Sequence, residues 1–240
     1  MLTDYQKDRY QRQIILKDFG EIGQQKLLNS KVLVVGLGGL GSIVSLYLTA
    51  AGVGTIGIMD KDEVALNNLN RQILYREDEI GKSKLLLAEQ TLQRLNHEVN
   101  LVPYDTFLTD KNAKDIIKNY DIVIDATDNF TARYLINDTC IALDKPFIYA
   151  SIGDYTGQMC VFNYQKPCAT YRTLFPNEEE IKTKKNINKG VIGVLPSILA
   201  CLEVNEAIKI ITQTGTVMKD TLFTINLLTL ETHKFKLPVK

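Results

Sequence analysis

Apolar residues in this chain fall into short dense runs, and between them lie stretches with helical spacing. The first run, Val32, Leu33, Val34 and Val35, leads straight into Gly36, Gly38 and Gly41. A run of that density reads as a strand buried on both faces of a parallel sheet. Leu40 to Ala51 has helical composition and stops at Gly52, and the next run, TIGIMD, reads as a second strand ending in Asp60. Gly81 to Asn96 spaces Leu85, Leu92 and Leu95 on one helical face and puts Lys82 and Lys84 in its first turn. Val99 to Tyr104 follows as a strand, Thr109 as the cap of a helix through Asn119, and residues 121–128 as another buried strand. A helix to about Leu143 and the strand PFIYASI complete the series. Two short helices are expected ahead of it, in residues 5–29.

Beyond residue 150 the rhythm changes. GQMCVFNY is a strand with no helix before it, which favours antiparallel pairing. Residues 165–190, with NEEEIKTKKNINKG at their centre, are polar and lysine-rich and read as a long mobile loop, of the kind that is functional or disordered. Leu195 to Thr212 is an apolar helix that Pro196 can open, Gly215 lies just beyond it, and TLFTINLLTLETHKFKL reads as one or two strands. The order β-α-β-α-β-α-β followed by further strands predicts an α/β fold. It would be a Rossmann-like, doubly wound sheet whose parallel N-terminal half is continued by antiparallel C-terminal strands. No linker, repeat or low-complexity segment divides the chain, so residues 1–240 are expected to form one domain.

Composition then narrows the function. Hydrophobic residues make up 45% of the chain, enough for a sizeable core. Basic and acidic side chains balance at 28 each, which gives no sign of binding to nucleic acid or an anionic membrane. No apolar run approaches the length of a membrane span, and MLTDYQKDRYQRQ is too polar for a signal peptide, so a cytoplasmic protein is expected. Cys140, Cys160, Cys168 and Cys201 are scattered without a C-x-x-C pair, which argues against a disulfide framework and against zinc.

The candidate chemistry starts where the first strand turns into a helix. Gly36 permits the turn, Gly38 lets backbone approach a phosphate, and Gly41 lets the helix pack close. The helix N-terminus offers unpaired N–H groups and a positive dipole end to an anion. Asp60, about twenty residues on, is placed like acids that hydrogen-bond ribose hydroxyls. Together these predict an adenine nucleotide without separating NAD from ATP; a packing turn with no ligand is the alternative. Asn67, Asn68, Asn70, Arg71 and Gln72 follow the second strand at its carboxyl end, where ligands sit in open α/β sheets. Arg71 is an anion ligand or an ordinary surface arginine. Lys82 and Lys84 oppose the dipole of their own helix, a local mismatch that points to a nearby anion. Asp125 and Asp128 end the 121–128 strand, and Asp128 either holds a magnesium ion or caps the helix that follows. Arg9 and Arg12 belong to a solvated helix face or reach phosphates.

Taken together, RYQRQIIL, VLVVGLGGLGS, NNLNRQILY, IGKSK, DATDN and GVIGVLPSILACLEVNEAIKII resemble the ThiF/MoeB/HesA family, the bacterial relatives of ubiquitin-activating enzymes. These motifs extend from about residue 9 to residue 212. The resemblance implies ATP with magnesium and an adenylyltransferase. The acceptor would be the C-terminal Gly-Gly carboxylate of a small ubiquitin-fold sulfur-carrier protein of thiamine or molybdopterin synthesis, and pyrophosphate would leave. It implies that Gly36, Gly38, Gly39 and Gly41 lie under the nucleotide and that Asp60 holds the ribose. Asn68, Arg71 and Lys84 would contact phosphates, Asp62, Gln72 and Asn129 would complete the nucleotide set, and Asp128 would hold magnesium. Arg12 would act from the other subunit of a homodimer, joining Arg71, Lys84 and Asp128 in catalysis. Residues to about 150 would bind the nucleotide, and those from about 151 would receive the carrier, with the loop around 177–189 crossing over its tail.

The chain also departs from the family pattern. Family members usually read CYRCLFP where this chain reads TYRTLFP, so Thr170 and Thr173 stand in for two zinc cysteines, and the C-terminal C-x-x-C is absent. Threonine hydroxyls are poor zinc ligands, and no structural zinc is expected. Asn186 occupies the place of a frequent family cysteine, and asparagine is no nucleophile. Val194 replaces the usual proline after Gly193, and Cys201 is expected in the core. Two other readings stay open: a non-catalytic dimerisation partner of the same fold, and an adenylating enzyme for a different carboxylate.

Overall fold

Three short helices precede the first strand, one more than the pattern suggests: α1 (Asp4–Arg9), α2 (Gln11–Ile14) and α3 (Gly20–Leu28). Thr3 caps α1, its hydroxyl accepting from the Gln6 N–H at 3.2 Å, and α2 leaves at Tyr10. The structure, a computed structural model, describes residues 1–183 and 190–239. Among them the strands are β1 (Lys31–Val35), β2 (Thr55–Met59), β3 (Asn100–Tyr104), β4 (Ile122–Asp125), β5 (Phe147–Gly153), β6 (Thr156–Phe162), β7 (Thr221–Asn226) and β8 (Thr232–Lys236). They form one sheet in the order β3-β2-β1-β4-β5-β6-β7-β8. β3 to β5 run parallel, and β6, β7 and β8 continue antiparallel, as the pattern predicts.

β1 shows why a continuous apolar run is needed. Val32 and Val34 point into one core, with Leu40 and Ile43 of α4 (Gly39–Ala51) and Leu199 of α10 (Val194–Thr212). Leu33 and Val35 point into the other, with Tyr134 and Ile136 of α7 (Phe130–Ala142). From β1 the chain first winds to one edge through β2 and β3, then returns to build β4 and β5 on the other side. The helices that follow β1 and β4 therefore lie on opposite faces of the sheet, and the carboxyl ends of these two strands are the switch point at which open α/β sheets take their ligands.

Several boundaries differ from expectation for local reasons. α5 is Lys84–Leu95, because Ser83 caps it at Leu86 N (3.4 Å); Lys82 stays outside, and Leu95 is exposed while Leu85 and Leu92 are buried. α6 shrinks to Ala113–Ile117, because the side chain of Asn112 turns back to accept from Thr109 N at 2.7 Å. Within 165–190 the expected mobile loop contains two helices, α8 (Tyr171–Leu174) and α9 (Glu178–Thr183); residues 184–189, with Asn186, lie outside the described residues. Thr170 and Thr173 start α8, with Thr170 N donating to Thr173 Oγ1 at 3.1 Å. Cys201 is exposed, not core, because α10 turns that side away from α4, β5 and β6.

Candidate functional site

The loop from β1 to α4 is fixed by backbone. Gly36 adopts φ +96°, and a Cβ there would lie 2.7 Å from the Ala126 carbonyl oxygen, so the loops after β1 and β4 touch without side chains between them. A Cβ on Gly41 would run into the Gly36 carbonyl, which is the close helix approach the spacing predicts. At Gly38 the nearest atom to such a Cβ is Gln72 Nε2, at 3.7 Å, so this position faces open space. The N–H groups of Gly38, Gly39 and Leu40 have no acceptor among the described residues, as expected at a helix start.

Asp60 closes the loop from below. One carboxylate oxygen accepts from Leu37 N at 2.7 Å and the other from Asp62 N at 2.8 Å. Burial pushes its carboxyl above the usual range, opposed by those two N–H groups and by Lys84. Lys84 is brought in by pairing of two backbone segments. Lys84 N donates to Asp62 O at 3.0 Å, Val64 N to Lys82 O at 3.0 Å, and Gly81 N to Val64 O at 2.9 Å. The lysine stem is buried, and its Nζ lies 3.3 Å from Asp62 Oδ2, whose side chain is 61% exposed. The Asp62 carboxylate beside this cation offsets part of the dipole mismatch visible in the sequence.

Arg71 and Gln72 follow a short 3-10 turn, Leu66–Asn68. Asn68 Oδ1 accepts from Ala65 N, and the Arg71 guanidinium donates to Asn67 O at 2.7 Å and Asn70 Oδ1 at 3.0 Å. The Arg71 stem lies beside Gly39, 3.5 Å from where its Cβ would be. Gln72 is buried, and its Oε1 has no hydrogen-bond partner among the described residues. Asp128 is exposed, two residues beyond Ala126 on the β4 loop. The helix cap is Asn129, not Asp128: Asn129 Oδ1 accepts from Ala132 N at 2.8 Å.

The structure thus gathers the glycine loop, Asp60, Asp62, Arg71, Gln72 and Lys84, with Asp128 and Asn129 on the adjoining loop. It does not bring Arg12 to them. Gln13, its neighbour, donates to Ala51 O at 2.9 Å, at the other end of α4, about 18 Å along the helix from Gly39.

Two supporting groups went unread in the sequence. Arg133, buried in α7, donates to Asp125 Oδ2 at 3.2 Å and to Thr127 O at 2.9 Å, which fixes the loop carrying Asp128. Tyr75 donates to Leu37 O at 2.9 Å. Nothing in the spacing marks Arg133, whereas Tyr75 ends the NNLNRQILY segment.

A model of the ThiF family matches residues 10–240. Adenylyltransferase and sulfurtransferase MOCS3 of Culex quinquefasciatus is 48% identical over 205 residues, 85% of this chain and 46% of that protein. MOCS3-1 of Zea mays is 44% identical over 209 residues, 86% of this chain and 44% of that protein. The chain thus spans about half the length of these curated relatives. A sulfur carrier protein adenylyltransferase of Thermus thermophilus is 41% identical over 220 residues, 89% of this chain and 80% of that protein. Crystal structures of PaaA (TM-score 0.85, 24% identity, 99% of this chain and 76% of that one) and of E. coli MccB with ATP (TM-score 0.86, 22% identity, 97% and 71%) share the fold.

Proposed function

The chain belongs to the ThiF family, and from that premise we propose that it is an adenylyltransferase acting on the C-terminal Gly-Gly carboxylate of a small ubiquitin-fold sulfur carrier. A carboxylate oxygen attacks the α-phosphorus of ATP, the bond to the bridging oxygen breaks, and pyrophosphate leaves with its electron pair. The observation that carries this reading is the set of N–H groups at Gly38, Gly39 and Leu40 that have no acceptor among the described residues, with Arg71 beside Gly39 and the buried Lys84 near Asp60. Donors fixed in advance where negative charge gathers are what such a displacement needs.

The other predicted residues fit around that centre. Each Asp60 oxygen accepts one N–H and keeps capacity for a ribose hydroxyl. Asn68, Gln72, Asp62 and Asn129 would complete the nucleotide contacts. Asp128 suits magnesium, which is commonly held by one or two carboxylates together with substrate phosphates. When bound, that ion would neutralise charge on the phosphates. Arg12 completes the set from a second copy in a homodimer. Its distance from its own chain's glycine loop supports this, as do the exposed Ile15, Leu16, Ile22 and Tyr47 on and around α2, α3 and α4. The parallel half binds the nucleotide, and the antiparallel strands β6 to β8 receive the carrier. The setting is cytoplasmic; among the described residues no helix is long and apolar enough to cross a membrane.

ATP–pyrophosphate exchange with magnesium, with and without a Gly-Gly carrier, tests the proposal. Carrier-dependent exchange is expected. ATP binding without exchange on any of several carriers overturns the acceptor assignment. Absence of ATP binding overturns the activity and leaves the non-catalytic dimerisation partner.

A further inference from the structure

Leu37 is held through both its backbone N–H and its carbonyl, and only the Gly38 N–H of the peptide that follows is left facing outward. On the inner side Leu37 N donates to Asp60 Oδ2 at 2.7 Å, and the Leu37 carbonyl accepts from the Tyr75 hydroxyl at 2.9 Å. Ser42 Oγ also approaches that carbonyl, at 3.2 Å, but it has one proton and lies 2.6 Å from the Gly38 carbonyl. Tyr75 is therefore the donor that Leu37 O depends on. A trans peptide is planar, so its C=O and the following N–H point in opposite directions. Holding Leu37 C=O inward turns Gly38 N–H outward, and that N–H has no acceptor among the described residues. Glycine at 38, with room around its Cα, would otherwise let this peptide plane rotate.

We infer that Tyr75 is a positioning residue for the nucleotide: its hydroxyl fixes the 37–38 peptide so that Gly38 N–H is aimed at a phosphate oxygen. This rests on the nucleotide reading above. Tyr75 is buried, and burial, with Asp60, Asp62 and Glu79 nearby, pushes its hydroxyl well above the usual tyrosine range. It stays a protonated donor at every pH at which the protein would be assayed. The neighbouring Gln72, whose carbonyl accepts from Tyr75 N at 3.2 Å, ties the tyrosine to the same segment that carries Arg71. One segment thus supplies a guanidinium beside the loop and the hydroxyl that orients it.

The test is Tyr75→Phe, which removes one oxygen and leaves the ring in its core. Calorimetric dissociation constants for ATP, AMP and adenosine are measured on both proteins, with the Gly38 amide resonance of the ligand-free forms. The loss of one hydrogen bond predicts roughly 3- to 10-fold weaker ATP and AMP binding. Adenosine affinity should stay within about twofold, since an orienting role acts on the phosphates alone. The Gly38 amide should shift or broaden as its peptide gains a second orientation. Equal weakening of adenosine would mean a general loosening of the loop and overturn the inference. So would unchanged ATP affinity with an unmoved Gly38 signal, and that result leaves the nucleotide reading standing. If the unsubstituted protein binds no ATP, the nucleotide reading falls and the inference with it.

Discussion

Glu203 is the group whose replacement should most change stability. It lies in α10 among Leu199, Ala200, Val204 and Ala207, is fully buried, and neither carboxylate oxygen has a hydrogen-bond partner among the described residues. Burial, then Asp125, push its carboxyl well above the usual range, against the pull of Arg133. The folded protein thus holds a proton that the unfolded chain has released once pH passes the ordinary glutamate value. Stability is full below that value. It falls by about 1.4 kcal/mol per pH unit as pH rises toward the folded value. Glu203→Met keeps the volume and removes both polar atoms. It should gain about 1–3 kcal/mol from the unpaired polar group, and further as pH rises. For a chain of this size each kcal/mol moves Tm by about 2–4 °C. Urea unfolding at fixed protein concentration between pH 5 and 8 measures both effects. Glu203→Gln, which keeps unpaired polar atoms, should flatten the pH slope with little gain. A Met variant less stable than the parent, with the slope unchanged, would show that Glu203 is ionised and paired, and would refute the reasoning.

Lys84→Met should lower kcat/KM for carrier-dependent exchange about 10- to 150-fold, the worth of one hydrogen bond to a charged group, with the buried stem retained; full exchange would count against the site. Asp60→Asn puts an amide NH2 against Leu37 N or Asp62 N, so about 1.5–3 kcal/mol should be lost, seen as a Tm lower by roughly 3–12 °C. A chelator should abolish exchange by removing magnesium while leaving Tm where it was, a separation that thermal unfolding and exchange read side by side.

Much of this fold is legible because its signals are local. The run Val32–Val35, the stop at Gly52 and the glycine spacing each follow from one stretch of chain, and each matches its element. Boundaries shift where a side chain competes with the backbone pattern: Asn112 shortens α6, Ser83 delays α5, and Asn129 takes the cap that was the alternative role for Asp128. The 165–190 stretch misleads because its lysines and glutamates look solvated, although Tyr171 is buried among Tyr134, Tyr149 and Phe175. Cys201 misleads because α10 is apolar on nearly every side, so its exposed face carries no polar mark. In the site, the sequence singles out Asp60, Arg71, Lys84 and Asp128 but not the groups that hold the loops after β1 and β4. Arg133 and Tyr75 act on backbone carbonyls 6 and 38 positions away, and such pairings exist only once the sheet has formed.

The segment where family members usually carry two cysteines shows the same principle at work on stability. In a metal-held segment the ligands supply folding free energy only while the ion is bound. Here the segment is held by side-chain oxygens that accept its own N–H groups. Ala169 N donates to Asp220 Oδ1 at 2.6 Å, Tyr171 N to Asn137 Oδ1 at 2.8 Å, and Thr170 N to Thr173 Oγ1 at 3.1 Å. Asn163 extends the tie, its amide donating to Cys140 O and Lys145 O, both at 2.9 Å. Each such bond contributes about 0.5–1.5 kcal/mol net, and several act on one short stretch. Asp220, Asn137 and Asn163 come from three different places in the chain, so the segment is fixed by the core it packs on. Tyr171 carries that attachment into the aromatic cluster beneath β5, on the sheet face where Arg133 holds Asp125. The hold on α8 therefore reaches Arg133 and Asp125, at the root of the loop of Asp128, through packed side chains.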